Sequence, residues 1–173
     1  VAGSFHEEMK KLVDMNQFIG GDRISGFERE FADYCGAGHC VAVNSGTDAL
    51  RIALAALGVG PDDEVITSPF TFIATAEAAS QTGRVVLADV DPETFTLDPE
   101  SVRVRVNSST RAILPVHIFG LPADMPALER IADEFNLSLV EDACQAHGAS
   151  IQGRRVGSLG HAAAFSFYPS KNL

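Results

Sequence analysis

Four short strings in this chain carry side chains that could do chemistry. After Val41-Ala42-Val43 come Ser45-Gly46-Thr47-Asp48. Ser45 is suited to cap a helix, and Gly46 would let a ligand approach the backbone. The first-turn N–H groups and the positive end of the helix dipole would face an anion such as phosphate. After Leu139-Val140 come Glu141-Asp142. A carboxylate at a strand end suits a metal, a general base or a cationic ligand. After Ala164-Phe165-Ser166-Phe167 come Tyr168-Pro169-Ser170-Lys171, where a lysine in a proline-stiffened loop suits a desolvated amine nucleophile. The fourth string, Phe70-Thr71-Phe72, offers an aromatic to cover a flat ligand. Each string also has a plainer reading: a capping box, a helix cap, a solvated loop lysine, a packed phenylalanine.

The elements that must position these groups follow from the patterning. Residues 4–18 read as a helix, closed by Gly20-Gly21. Ser25-Gly26-Phe27-Glu28 reads as a capping box before a second helix that Gly36 and Gly38 end. Short apolar runs then alternate with helical segments. The expected strands are 40–43, 64–67, 84–90, 111–116, 137–141 and 162–167. The expected helices between them run from Ser45 to about Gly58, from Thr71 to Thr82, briefly after Pro99, and from Asp124 to Phe135. This alternation predicts an α/β fold with a mostly parallel central sheet flanked by helices. Residues 1–35 would form a helical arm and residues 36–173 the main domain.

In a parallel sheet, ligands bind beyond the carboxyl ends of the strands. The four strings fall at that edge. Together they supply a phosphate cradle, an aromatic plate, a carboxylate and a lysine, which are the groups a pyridoxal 5′-phosphate (PLP) site needs.

Composition narrows the alternatives. With 173 residues the chain suits one modest domain. A net charge of −10 argues against nucleic acid or an anionic membrane as partner. No uncharged apolar run reaches the roughly 20 residues of a membrane span. Cys35, Cys40 and Cys144 are an odd set without framework spacing, as expected of reduced thiols in a cytoplasmic protein. The spacing of Cys35, His39 and Cys40 fits no standard zinc pattern, so no metal site is expected. Arg154-Arg155 reads either as a contact for a nucleotide diphosphate or as a solvated turn. His147 either reaches substrate or packs in the interior.

The strings VNSGTDAL (43–50), PDDEVITSPFTFIATAEA (61–78), PVHIFGLPADM (115–125), VEDACQAHGA (140–149), GRRVGSLG (153–160) and FSFYPSKNL (165–173) resemble, in order, the DegT/DnrJ/EryC1/StrS family of sugar aminotransferases. These are PLP enzymes of fold-type I. The resemblance covers nearly the whole chain. It implies that Lys171 binds PLP covalently and shuttles a proton, and that Asp142 pairs with the pyridinium nitrogen. It places Gln145 near the ring hydroxyl, Ser166 on the phosphate, and Phe72 against the ring face. Gly46, Thr47 and Asp48 would hold the phosphate, mainly through backbone N–H groups.

The implied reaction moves an amino group from an amino acid, typically L-glutamate, to a nucleotide-linked keto sugar. The wording leans toward 3-amination of a dTDP-keto-deoxyhexose, and a keto-cyclitol is the alternative acceptor. Relatives that replace this lysine with histidine catalyse deoxygenation, and Lys171 argues against that branch. The family is longer, works as a homodimer and continues past the lysine loop. The expectation is therefore an N-terminal portion of the enzyme, cut after the lysine loop and inactive by itself. A non-enzymatic, regulatory α/β domain that kept the PLP pocket is the other reading, and it has little use for the lysine.

Overall fold

The computed structural model describes residues 2–172. It divides into two compact units, Val1–Ala42 and Val43–Leu173. The first holds α1 (Ala2–Asp14) and α2 (Asp22–Cys35). The expected capping box does not start α2. Gly21 is the N-cap, without a side-chain bond, and Ser25 lies inside the helix with its N–H on the Gly21 carbonyl. Gly36 ends α2 in the left-handed conformation, φ 73°, as a C-cap glycine should. The expected strand at 40–43 is absent: this run pairs with no strand among the described residues, and the Ala42 N–H goes to the Glu28 carboxylate at 2.8 Å.

The second unit is a parallel sheet between helices. It contains α3 (Gly46–Ala56), β1 (Glu64–Thr67), α4 (Ala74–Ser80), β2 (Arg84–Leu87), α5 (Pro99–Arg103), β3 (Thr110–Leu114), α6 (Met125–Phe135), β4 (Ser138–Asp142) and β7 (Ala162–Ala164). A 3₁₀ turn spans Ile118–Gly120, and a small hairpin pairs β5 (Ser150–Ile151) with β6 (Arg154–Arg155). The main sheet has the order β2-β1-β3-β4-β7, with every neighbouring pair parallel. Among the described residues no helix is long and apolar enough to cross a membrane.

Alternation along the central strands sorts two cores. Ile66, Ile113 and Leu139 pack on the face covered by Leu128 and Ile131 of α6. Val65, Ala112, Leu114 and Val140 pack on the other face with Leu50 and Leu54 of α3 and Ala78 of α4. Strands buried on both faces need apolar residues at successive positions, which is why they were readable as short apolar runs. The helices start where capping chemistry allows. The Asp98 carboxylate accepts from Glu100 and Ser101 ahead of α5, and Asp124 accepts from Ala127 ahead of α6. Asn136 closes α6 at φ 52°.

Several expected elements are shorter than their patterns. β2 stops at Leu87 rather than Val90, because Asp91 organises a turn by accepting from the Glu93 and Thr94 N–H groups, and Val90 bridges antiparallel to Leu97. β7 stops at Ala164, since β4 turns away after Asp142 and the Ala143 N–H closes onto the Ala164 carbonyl at 2.9 Å. α4 begins at Ala74, leaving Thr71 and Phe72 in the preceding loop. Arg154 and Arg155 are exposed on the small hairpin, with Gln152 at φ 52° and Gly153 at φ 80° in its turn.

Candidate active site

β4 presents its last two residues to opposite faces, as strand geometry requires. Asp142 shares a face with Val140, toward α3 and α4, while Glu141 lies on the α6 face. Asp142 is 6% exposed. Its Oδ2 accepts from the Thr75 hydroxyl of α4 at 2.7 Å, and its Oδ1 accepts from the Cys144 N–H at 3.2 Å. One bond to each oxygen fixes the carboxylate plane.

α3 starts against this group. Ser45 caps it by accepting from the Asp48 N–H at 3.1 Å. That bond uses the Asp48 amide, so the N–H groups of Gly46 and Thr47 are left without an acceptor inside the helix. Gly46 is buried because no larger residue fits: a Cβ there would sit 2.8 Å from Cys144 Sγ and 3.0 Å from Ser166 Cβ. The α3 N-terminus is therefore pressed onto the chain just past β4 and β7, and Ser166 stands beside it. The Asp48 side chain faces Arg51 at 3.2 Å and Asn44 at 3.4 Å, which together hold its carboxyl below the usual range; the Arg51 bond contributes most.

Lys171 is half-buried, with its N–H on the Tyr168 carbonyl at 2.8 Å. Its charge reaches both Cys144 and His147. No ion pair joins Lys171 to Asp142 among the described residues. Burial pushes the Cys144 thiol well above its ordinary range, the Asp142 charge adds to that, and Lys171 opposes it. Cys144 thus touches or senses Asp142, Gly46 and Lys171 together. Sequence reading treated it only as a reduced thiol.

Gln145 turns toward the 3₁₀ turn, where its Oε1 accepts from the Phe119 N–H at 3.0 Å, and its carbonyl accepts from the Asn172 amide at 3.1 Å. His147 lies between Phe165 and Phe167, with ring centroids at 5.3 and 5.2 Å. Both of its ring nitrogens are buried and lack a hydrogen-bond partner among the described residues. Desolvation lowers its pKa, the Ser166 backbone pushes back, and Lys171 lowers it further. Phe72 is 65% exposed in the loop before α4.

On the other face, Glu141 and His117 are both fully buried. His117 Nε2 lies 3.0 Å from Glu141, and His117 Nδ1 accepts from the Ala123 N–H at 3.1 Å. With Nδ1 accepting, the ring hydrogen sits on Nε2 and is donated to the carboxylate. Glu141 also accepts from the N–H groups of Gly157, Leu159 and Gly160 at 2.9–3.0 Å. Burial works to raise the Glu141 pKa, and these donors outweigh it, so the net shift is downward. The loop that Glu141 grips leads directly into β7, and through β7 to Ser166 and Lys171. Sequence reading saw the Glu141-Asp142 pair but not this division of labour, which strand alternation could have signalled. Thr75 was missed as well; a hydroxyl inside an Ala-rich helix was its only mark.

Comparison with known proteins points one way. The model of the DegT/DnrJ/EryC1/StrS aminotransferase family matches residues 2–173. The dTDP-3-amino-3,4,6-trideoxy-alpha-D-glucose transaminase of Streptomyces venezuelae is 50% identical over 164 residues, 94% of this chain and 43% of its own length. The 3-amino-5-hydroxybenzoate synthase of Amycolatopsis mediterranei is 49% identical over 154 residues, 88% of this chain and 40% of its own length. The crystal structure of S. venezuelae DesV in complex with a ketimine intermediate superposes with a TM-score of 0.96 at 47% identity, covering 99% of this chain and 47% of that one. The chain spans less than half the length of each of these relatives.

Proposed function

The chain belongs to the DegT/DnrJ/EryC1/StrS aminotransferase family, and from that premise we propose that it is the cofactor-binding part of a PLP-dependent aminotransferase acting in amino-sugar biosynthesis. The acceptor is a nucleotide-linked keto sugar, and the donor is an amino acid, L-glutamate by expectation. The observation that carries this reading is the position of Cys144. It contacts the Asp142 carboxylate through its N–H, faces Gly46 of α3 through its sulfur, and feels the charge of Lys171. A carboxylate and a helix N-terminus therefore meet at this one residue, and the charge of the lysine is felt there.

The donor set fits PLP. The spare N–H groups of Gly46 and Thr47, with the Ser166 hydroxyl beside them, suit a phosphate dianion. Asp142, held by one hydrogen bond per oxygen, suits a ring N–H. Phe72 is free to turn onto a ring face, and Gln145 can offer its amide to a ring hydroxyl. When bound, PLP supplies an electron sink for the bond-breaking step. Lys171 Nζ then holds and returns the proton of the substrate carbon. His147, whose two buried ring nitrogens lack a partner among the described residues, is the group on this chain best placed to meet substrate.

A dTDP-linked 3-keto-6-deoxyhexose is the acceptor favoured by the 50% identical relative, whose name is that of a dTDP-3-amino sugar transaminase. A keto-cyclitol is kept as the second acceptor class, because the 49% identical relative is named for an aminobenzoate rather than a sugar. The assembled enzyme is proposed as a homodimer in the cytoplasm. Cys40 and Cys144 are free thiols, in agreement with a reducing compartment.

The test uses the intact protein that carries this chain. It is incubated with PLP, reduced with borohydride and digested, and the labelled peptide is expected to contain Lys171. Addition of L-glutamate without acceptor is expected to release 2-oxoglutarate. Label on any other lysine would overturn the assignment of Lys171. Failure of every amino donor would favour a binding domain over an enzyme.

A further inference from the structure

We infer that Thr75 is a positioning residue for Asp142, at the inner end of a hydroxyl chain that begins at Thr71. The inference rests on the reading of Asp142 as the cofactor's carboxylate partner. Thr75 is 1% exposed, so its hydroxyl has no recourse to water. It lies 2.7 Å from Asp142 Oδ2 and 2.7 Å from Thr71 Oγ1. A carboxylate can only accept, so the Thr75 hydrogen points at Asp142. The Thr71 hydroxyl must then donate to Thr75. The direction of the whole chain is set: Thr71 to Thr75 to Asp142. Each link strengthens the next, because a hydroxyl that accepts a hydrogen bond becomes a better donor.

The geometry explains why a threonine serves here. Pairing with Val116 and Ala164 fixes the Asp142 backbone, but those bonds do not reach its carboxylate. The Cys144 N–H holds Oδ1 from within the same turn, a local bond that leaves rotation about the turn free. Among the described residues only Thr75 ties the carboxylate to a different element, α4, across 67 residues of sequence. The β-branched side chain adds stiffness at χ1, which fixes the hydroxyl. Thr71 lies in the loop that also carries Phe72, so the chain joins two groups assigned to the ring, one at its edge and one at its face.

The experiment compares Thr75→Val, Thr75→Ser, Thr71→Val and Asp142→Asn in the intact protein. Two properties are read without substrate: the dissociation constant for PLP, and the absorbance of bound PLP against pH. Thr75→Val is isosteric and is expected to loosen PLP about ten-fold. It should also move the absorbance midpoint toward that of Asp142→Asn. Thr75→Ser restores the hydroxyl and is expected to stay within about two-fold of the parent, with Thr71→Val falling between. Thr75→Val placed on Asp142→Asn should add little, since the carboxylate charge that the hydroxyl positions is already gone.

If Asp142→Asn impairs both readouts while Thr75→Val leaves both unchanged, the inference is wrong and the role of Asp142 survives. If Asp142→Asn itself changes neither, the underlying reading fails. Equal harm from Thr75→Val in both backgrounds would mark a packing role and would also overturn the inference.

Discussion

Glu141 and His117 meet at 3.0 Å with neither side chain reaching solvent, and the pair sets the path by which the chain returns to the site. Three further N–H groups from residues 157–160 close on the same carboxylate. A buried charge is tolerated only when its acceptor sites are filled, and here they are. Glu141→Gln keeps the volume but turns an N–H toward an N–H. It should cost about 1–3 kcal/mol of stability, read by denaturant unfolding of the intact protein at neutral pH.

The same pair predicts a pH dependence. The folded pKa of Glu141 is depressed, so its contribution is fully present above the ordinary glutamate value of about 4.3. It is lost as pH falls through the lower folded value. Unfolding free energies measured down the acid limb should therefore fall less steeply in Glu141→Gln than in the parent. Parallel limbs would count against a charged Glu141.

Gly46→Ala should be destabilising by about 1–3 kcal/mol, because the new methyl would sit 2.8 Å from Cys144 Sγ, closer than real side chains keep, and at a tight 3.0 Å from Ser166 Cβ. Cys144→Ala removes the sulfur and should recover part of the loss. Recovery should stay partial, since the Ser166 contact remains. The measurement is a double-mutant cycle in denaturant, and strict additivity would show that the two sites do not touch.

Cys144 should react slowly with iodoacetamide at mildly alkaline pH in the folded protein and normally once unfolded. Its thiol is pushed upward by burial and then by Asp142, while Lys171 pulls it down. Asp142→Asn should speed labelling, and Lys171→Ala should slow it. Opposite signs would mean that the lysine and the carboxylate do not flank the sulfur as described.

The His147 imidazole should titrate below the ordinary value of about 6.5, followed by NMR of the ring. A depressed folded pKa means that the neutral form is favoured by the fold. Its stabilising contribution is present above the ordinary value and is lost as pH falls through the folded one. A normal titration would mean that water reaches the ring.

Much of this molecule was readable from side-chain pattern. α3, α5 and α6 begin where capping residues stand, and the strands buried on both faces appear as short apolar runs. The failures have local causes. The run at 40–43 is as apolar as a strand but pairs with no strand among the described residues, and hydrogen-bonded ladders need a partner that pattern does not show. Ser25-Gly26-Phe27-Glu28 has the letters of a capping box, yet α2 starts a turn earlier at Asp22, where backbone bonding to Gly21 already closes the first turn. β2 runs short because the Ser101 and Asp89 side chains take the N–H groups of Asp89 and Val90, and β7 because β4 turns away after Asp142.

By itself the sequence determined the family, the order of the elements and the edge of the sheet where reactive side chains collect. Those properties are local or periodic, and they survive without knowledge of distance. Only the tertiary structure decided which partner each group has. It put Glu141 in the loop-anchoring network and Asp142 toward α3 and α4, although the two are adjacent in sequence, because successive strand residues face opposite ways. It joined Thr75 of α4 to Asp142, 67 residues away in sequence, and it pressed Gly46 onto Cys144 and Ser166. Hydrogen bonds between distant segments depend on packing, and packing is set by both cores at once.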